Sequence, residues 1–221
     1  ANLLRFEPIW AQRKALPVDA PVAAADLSIE SPTDFPRFLG TDQNGKVTGS
    51  GQIDASKFAE NCRIVWKQPI GAGWSGFSGR NGYAATMEQR GDQECVTCYD
   101  IATGTLKWIY SHPARHRDKI ALGRIGPRST PTIHQSRVYA VGAVGNFVCL
   151  NGADGSLIWQ KDLNEILGIV LKKVEDTDGL MMEFERNTSL AWGRSGSPLI
   201  VDDLVIVPGG GPDGLTRATL L

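Results

Sequence analysis

Short apolar runs alternate with glycine-containing turns along most of the chain, a pattern typical of many β-strands rather than of helices. Residues 98–108 return as residues 149–159, shifted by 51 positions, with Cys, Ala, Gly, Leu and Trp at the same spacing in both copies. Each copy is predicted to be a strand that turns at its glycine and leaves as a second strand carrying the tryptophan. A fixed offset of this length indicates a repeat architecture. The repeat positions are Gly104, Trp108, Gly155 and Trp159.

A third tryptophan, Trp66, lies in residues 63–67, which are predicted to be a short strand, and it takes the place of Trp108 in another unit. After each of these tryptophans the chain crosses a loop and enters a serine-containing turn. Units of four strands that recur about every 40 to 50 residues are typical of radial β-propellers. We therefore predict an all-β chain built from four-stranded propeller blades. The serine turns are residues 73–77, 127–131 and 193–198.

The arrangement Ala-Thr/Asp-Gly-x-x-x-Trp resembles the tryptophan-docking repeat of quinoprotein-type β-propellers, the pyrroloquinoline quinone (PQQ)-like repeat proteins. The resemblance covers roughly residues 35–214. It implies a propeller of seven or eight blades, of which this chain supplies the tail of one, two whole ones and half of another. The larger frame is similar to the multi-blade proteins of this kind in planctomycete-type bacteria, and it comprises residues 35–40, 73–75, 87–91, 126–131 and 192–198.

Three parts are predicted from this pattern. Residues 1–34 are rich in proline and alanine, and we expect an extended, poorly packed linker or a tether from an upstream membrane segment. Residues 35–221 hold the incomplete blades, and the chain, which starts without Met, is expected to be a piece of something longer. Residues 162–190 form an inserted arm. Helical spacing from Leu163 to Val174 after the acidic residue Asp162 predicts a short helix followed by a hairpin.

The arm is either a surface excursion or a partner-binding element, because long insertions on rigid scaffolds often carry function.

The composition changes this picture little. The chain has 221 residues and a net charge of −1, as an ordinary soluble globular protein does. This charge argues against nucleic acid as the main partner, since phosphate binding needs a basic face. No run reaches the roughly 18 apolar residues of a membrane span.

One spacing suggests a metal site. Cys95 and Cys98, followed by His112 and His116, nearly match the spacing of a zinc finger. Pro113 lies between the two histidines, which such a finger carries on a helix, so we predict that the four residues do not share a metal. A local disulfide is also excluded, because three steps along a strand separate Cα atoms by about 10 Å. The cysteines are therefore predicted to be small buried core residues.

The candidate binding residues lie in or beside the serine turns, and the resemblance implies that these turns lie at the mouth of the central channel. Arginine and tryptophan are enriched at energetic hot spots of interfaces. The alternative is that the serines bond the turn backbone and the arginines face water. The basic loop 115–124 likewise either favours an anionic partner or faces water. The candidate residues are Trp74, Ser75, Arg128, Ser129, Trp192, Arg194 and Ser195.

For enzymes of this family, the resemblance implies PQQ near the axis, a catalytic Asp, calcium ligands and often two adjacent cysteines. The chain has no Cys-Cys dipeptide and no evident Glu/Asn/Asp set, so we predict no catalytic residue, no metal and no cofactor. PQQ with calcium would belong only to the complete propeller. Non-enzymatic relatives include a lipoprotein of outer-membrane barrel assembly.

We expect a non-catalytic binding or scaffolding module in the periplasm or cell envelope, which receives a protein partner or an anionic ligand at the propeller mouth. Two alternatives stay open. One is a PQQ-dependent dehydrogenase whose catalytic blades lie outside this chain. The other is the sensor domain of a larger membrane protein, suggested by the Pro/Ala tether.

Overall fold

The computed structural model of the chain is a series of antiparallel β-sheets. The first four-stranded sheet, blade 1, has the strand order β1-β2-β3-β4. Its strands are β1 (Ser78–Arg80), β2 (Tyr83–Arg90), β3 (Gln93–Asp100) and β4 (Leu106–Pro113). The residues that the structure describes are 16–18, 23–47, 49, 54–57, 60, 62–116, 125–176, 179–184 and 192–209, with only the backbone for residues 171–184.

Blade 2 repeats the same order, β5-β6-β7-β8, and its strands are β5 (Thr132–His134), β6 (Arg137–Val141), β7 (Asn146–Asn151) and β8 (Leu157–Asp162). A third unit begins with the hairpin of β11 (Leu199–Val201) and β12 (Leu204–Ile206). Register shifts interrupt both blades at equivalent places, between Cys98 and Tyr99 and between Cys149 and Leu150. The all-β fold of four-stranded blades predicted from the sequence is therefore confirmed. A 3-10 turn at Ala55–Lys57 precedes the blades.

The main core lies between the two blades. The face of blade 1 that carries Met87, Cys98 and Trp108 packs on the face of blade 2 that carries Val138 and Leu150. Alternation along each strand sends every second side chain into this interface. The first strands of successive units approach one another, β1 beside β5 and β5 beside β11. The blades therefore converge on their first strands, which lie around the axis, while the tryptophan strands lie outermost.

Residues 23–34 differ from the expected poorly packed linker. Ala25 and Leu27 are each only 1% exposed and belong to the core between the blades. The expectation of poor packing is wrong for this stretch, because its apolar side chains fill space that two blades alone leave open. Residues 1–15 and 19–22 lie outside the described residues.

The arm begins with the helix α1 (Leu163–Leu167), followed by a hairpin of β9 (Leu171–Asp176) and β10 (Gly179–Phe184). The Asp162 side chain caps the helix by accepting a hydrogen bond from Asn164 N at 2.8 Å. Helical spacing in the sequence continues to Val174, but the helix ends at Gly168, whose φ is 66°. The hairpin takes over from Leu171.

Candidate functional site

The turns and loops between strands lie at two opposite ends of the blades. At the hairpin end of blade 1, the β1–β2 and β3–β4 turns are joined by a hydrogen bond from Ile101 N to Gly82 O, 2.8 Å long. Blade 2 repeats this bond from Gly152 N to Ser136 O, also at 2.8 Å. The candidate binding residues all lie at the other end. This loop end comprises residues 73–77, 125–130, 142–146 and 192–197.

Trp108, in the outermost strand of blade 1, lies against the β7–β8 turn of blade 2. Its side chain is 0% exposed. Its indole Nε1 donates a hydrogen bond to Gly152 O at 2.9 Å. The ring covers Gly155, where φ is 74° and an added Cβ would lie 2.5 Å from a ring carbon. A side chain at residue 155 would therefore push the indole out of the interface.

Trp66 makes the same two contacts one blade earlier. Its Nε1 donates to Ile101 O at 2.7 Å, and its ring covers Gly104. Both partners precede those of Trp108 by 51 residues. Trp159 is only half-buried and packs edge-on against Phe147, with ring centroids 5.0 Å apart. No strand is assigned to the described residues around Trp66, although the sequence predicted one there.

Two of the candidate serines bind the backbone of their own blade. Ser75 Oγ accepts a hydrogen bond from Met87 N at 3.1 Å, and Ser129 Oγ donates one to Val141 O. The two serines are 54 residues apart, and so are their partners, which makes the positions equivalent. These hydroxyls hold the turns against the second strands of their blades.

A second set of hydrogen bonds fixes how the three serine turns correspond. Gly76 N donates to Thr130 Oγ1 at 3.2 Å, and Thr130 N donates to Ser197 Oγ at 2.9 Å. This register aligns Arg128 of the second turn with Ser195 of the third, and not with Arg194, with which it was grouped. The Ser195 side chain is exposed.

Arg194, which the sequence analysis grouped with Arg128, is buried with only 4% of its surface exposed. Its Nη2 donates to Asn164 Oδ1 of the arm helix at 3.1 Å, and its Nη1 donates to Gly209 O. Its backbone N donates to Ala143 O at 2.8 Å. Burial lowers the pKa of the guanidinium to about 10. The expectation that Arg194 faces the channel mouth is wrong: the side chain ties the arm to the start of the third unit.

Three aromatic side chains at the loop end are exposed. Trp74 is 60% exposed, although its backbone N donates a hydrogen bond to Pro127 O at 2.8 Å. Phe77 and Trp192 are also exposed, and Phe77 was not singled out from the sequence. The sequence did show two aromatic residues in the short turn from Gly73 to Phe77. It did not show whether the Phe77 side chain is buried or exposed, because one Phe outside a periodic pattern fits either state. Exposed aromatic side chains of this kind are enriched where proteins contact one another.

Arg128 is half-buried, and its Nη1 donates to Gly126 O at 2.7 Å. It lies close enough to Glu94 to favour the charged carboxylate electrostatically. Glu94 is buried, and its Oε2 accepts a hydrogen bond from Ala143 N of blade 2 at 2.9 Å. Burial nevertheless raises the pKa of Glu94 to about 7. The sequence analysis did not single out Glu94. Its burial could have been suspected, because Glu94 lies two positions before the apolar Val96 and so shares its strand face.

A second buried carboxyl, Glu88, was also missed. Its Oε1 accepts hydrogen bonds from Tyr99 Oη at 2.6 Å and from Arg90 Nη2 at 3.0 Å. Its Oε2 accepts one from Gly71 N. Burial alone would raise the pKa of Glu88, but these bonds outweigh it, and the pKa lies below its usual value. The cluster lies on the face of blade 1 turned away from blade 2 and holds the incoming chain there.

The cysteines with zinc-finger spacing do not lie on the same face of their strand. Cys95 and Cys98 point to opposite faces of β3, because three positions separate them. Burial raises the pKa of both thiols to about 12. Within the described part of the chain, no three His, Cys, Asp or Glu side chains are grouped closely enough to hold a metal ion. The free thiols are Cys62, which is exposed, and the buried Cys95, Cys98 and Cys149.

The basic loop is only partly described. Arg115 is buried and pairs with Asp92, with 3.5 Å between Nη1 and Oδ1. This contact accounts for one of the charges that suggested an anionic partner. Residues 117–124 lie outside the described residues.

Comparison with known proteins gives one family. Residues 51–216 match the family described as outer membrane protein assembly factor BamB. No curated protein matches the chain.

Two of the solved structures, with TM-scores above 0.5, share the fold at low identity. A europium-containing methanol dehydrogenase has a TM-score of 0.51 at 14% identity, over 80% of this chain and 27% of its own. The quinohemoprotein alcohol dehydrogenase ADHIIG from Pseudomonas putida HK5 has a TM-score of 0.51 at 15% identity, over 85% of this chain and 26% of its own. BamB from Moraxella catarrhalis has a TM-score of 0.25 at 13% identity, over 61% of this chain and 46% of its own. The chain spans about a quarter of the two dehydrogenases.

Proposed function

The chain belongs to the family of PQQ-like repeat proteins described as outer membrane protein assembly factor BamB, and we propose that it is a non-catalytic binding module outside the cytoplasm. Its loop end receives a protein partner that presents a carboxylate and an apolar group. The family description supports a role in assembly, and the exposed chemistry of the loop end supports the kind of partner.

The observation that carries this proposal is the exposure of Trp74 on a fixed backbone. An indole held in this way loses little conformational freedom on binding, so it contributes much of its buried area to affinity. Arg128 stands in the neighbouring turn, and a guanidinium pairs with carboxylates through two parallel hydrogen bonds. Trp74 and Arg128 together would bind a partner surface on which a carboxylate lies beside an apolar side chain.

The proposal is tested by site-specific photo-crosslinking of the full-length protein in cells. A photoreactive residue replaces Trp74, and a matched one replaces Ile158, which is exposed on the outermost strand of blade 2. We expect a discrete protein adduct from position 74 alone. Arg128→Ala should lower its yield about tenfold, the loss expected for one charge-assisted pair. Identical adducts from both positions would refute the assignment of the loop end.

A PQQ-dependent dehydrogenase is the second candidate, because the structures that share the fold include a methanol dehydrogenase and a quinohemoprotein alcohol dehydrogenase. The described residues do not supply a carboxylate set for calcium, so no step of a reaction is assigned to them. Titration of the full-length protein with PQQ and calcium separates the two functions. Stoichiometric quenching of tryptophan fluorescence would favour the dehydrogenase over the binding module.

We also propose a periplasmic or envelope location for the chain. The family description, which names outer membrane assembly, supports this location. Within the described residues, none of the helices has the length and apolar character needed to cross a bilayer. Protease protection in intact cells, compared with cells whose outer membrane has been permeabilised, tests the location directly.

A further inference from the structure

Residues 23–36, here called the N-terminal strap, cross the hairpin end of both blades. At the outer rim, Ala23 N donates to Lys107 O of β4 at 2.9 Å. One step on, Ala25 N donates to Ala153 O in the β7–β8 turn of blade 2, also at 2.9 Å. Leu27 is buried in the core between the blades. The strap therefore joins the two blades before it reaches the axis.

Charged and polar groups fix the middle of the strap to the β1–β2 turn. The buried Arg80 pairs with Glu30 at 3.1 Å and with Asp34 at 3.9 Å. Asn81 N donates to Asp34 Oδ1 at 3.2 Å, and Asn81 Nδ2 donates to Asp26 O at 2.8 Å. These contacts hold the strap at the end of β1 opposite to Trp74.

At the axis, the strap pairs with the inward edges of two first strands. Phe35 N donates to Gly79 O at 2.9 Å, and Gly79 N donates back to Phe35 O at 2.8 Å. Ile133 N of β5 donates to Pro36 O at 2.7 Å. The other edges of β1 and β5 already pair with β2 and β6. Two consecutive residues thus satisfy backbone groups on the axial side of both blades.

We propose that Asp34, Phe35 and Pro36 form a built-in axial plug, which closes the hairpin end of the central channel in the complete propeller. An unpaired strand edge is a ready template for another chain, and the plug occupies that edge on β1 and β5. A partner strand is therefore denied these edges, and ligands and partners reach the axis from the loop end alone. The statement that partners enter from the loop end rests on the proposed function, whereas the pairing of the plug with β1 and β5 does not.

A designed disulfide in the full-length protein tests the pairing. Phe35 and Gly79 form a hydrogen-bonded antiparallel pair, whose Cα atoms lie about 5.5 Å apart in such pairs, within disulfide range. In a Cys62→Ser background, which removes the exposed native thiol, Phe35→Cys with Gly79→Cys should lose two titratable thiols on mild oxidation. Phe38→Cys with Gly79→Cys is the control and should keep them, because Phe38 is exposed beyond the paired residues.

Hydrogen exchange tests the same contact without a new bond. The Gly79 and Ile133 amides should be protected in the wild type and should exchange at least about tenfold faster in Asp34→Ala, which removes the anchor to Asn81. Asp42→Ala, an exposed acid in the next turn, should leave both amides protected. Failure of the disulfide, or unprotected amides in the wild type, overturns the plug. Neither measurement involves a partner, so the plug and the binding role of Trp74 stand or fall separately.

Discussion

At the residue scale, the two candidate arginines have opposite surroundings. Arg194 is buried and bonds to the arm helix and to Gly209, whereas Arg128 is half-exposed at the loop end. Removing a buried guanidinium leaves its acceptors without partners in a site that water does not reach. The sequence put both in one class because each follows a loop and precedes a serine, and spacing does not report burial.

Arg194→Ala should therefore lower the free energy of unfolding by about 3 kcal/mol, as the loss of hydrogen bonds from a buried charged group does. Arg128→Ala should change it by less than about 1 kcal/mol, in the range of surface substitutions. Urea unfolding of the two variants measures the difference. Equal losses would mean that Arg128 is also a structural tie and would remove it from the proposed binding surface.

Glu94 predicts a specific pH dependence. Its pKa in the folded protein is about 7, above the ordinary value of 4.5, so the folded state holds the proton more tightly than the unfolded chain. The neutral carboxyl favours folding fully below pH 4.5, and this contribution is lost as the pH rises through about 7. Glu94→Gln should remove this part of the pH dependence.

The measurement is the free energy of unfolding from pH 4 to pH 8 for the wild type, Glu94→Gln and the exposed control Glu60→Gln. We expect the wild-type curve to fall relative to Glu94→Gln across the window, while Glu60→Gln follows the wild type. A constant difference between wild type and Glu94→Gln would show that the Glu94 carboxyl does not titrate there.

At the scale of the elements, the β3–β4 and β7–β8 turns are the most specific part of the fold. Gly155 combines a φ of 74° with an indole lying where a Cβ would go. Gly91 also has a positive φ, of 59°, but a Cβ there would meet nothing within 4 Å. Substitutions at Gly91 and Gly155 therefore separate two contributions to stability: the strain of a side chain on a left-handed backbone, and the displacement of a packed indole.

Gly91→Ala should cost about 1 kcal/mol, the backbone cost of an L-residue in the left-handed region. Gly155→Ala adds displacement of Trp108 and should cost at least about 2 kcal/mol more, the usual effect of overpacking a core. Thermal unfolding gives both values. If the two variants melt together, the contact between Trp108 and the turn does not contribute to stability.

These elements also show how far the sequence leads. The 51-residue offset was enough to predict strands, turns and equivalent tryptophans, because each is set by local periodicity and by glycine. It did not reveal the burial of Leu27 or of Glu94, since both depend on which face of a neighbouring blade closes over them. The short helix and the hairpin of the arm were predicted, but the apolar spacing continued past Gly168 and did not mark where the helix ends.

At the scale of the whole molecule, the two blades bury their tryptophans unequally. Trp108 is enclosed by blade 2, whereas Trp159 is half-buried beside Phe147 and Tyr139. The chain spans about a quarter of the propeller dehydrogenases that share its fold. In a complete ring, a turn of the following blade should cover Trp159 as the β7–β8 turn covers Trp108.

Truncation of the two indoles tests this ring. In the full-length protein, Trp108→Ala and Trp159→Ala should each cost about 3 to 5 kcal/mol, the usual loss for a fully buried Trp. In the 221-residue chain alone, Trp159→Ala should cost clearly less than Trp108→Ala, because part of its ring already faces water. Chemical unfolding of both variants in both lengths supplies the four values. Equal costs in the short chain would mean that Trp159 is already enclosed there, and an unchanged gap in the long one would mean that no turn of a following blade covers Trp159 as the β7–β8 turn covers Trp108.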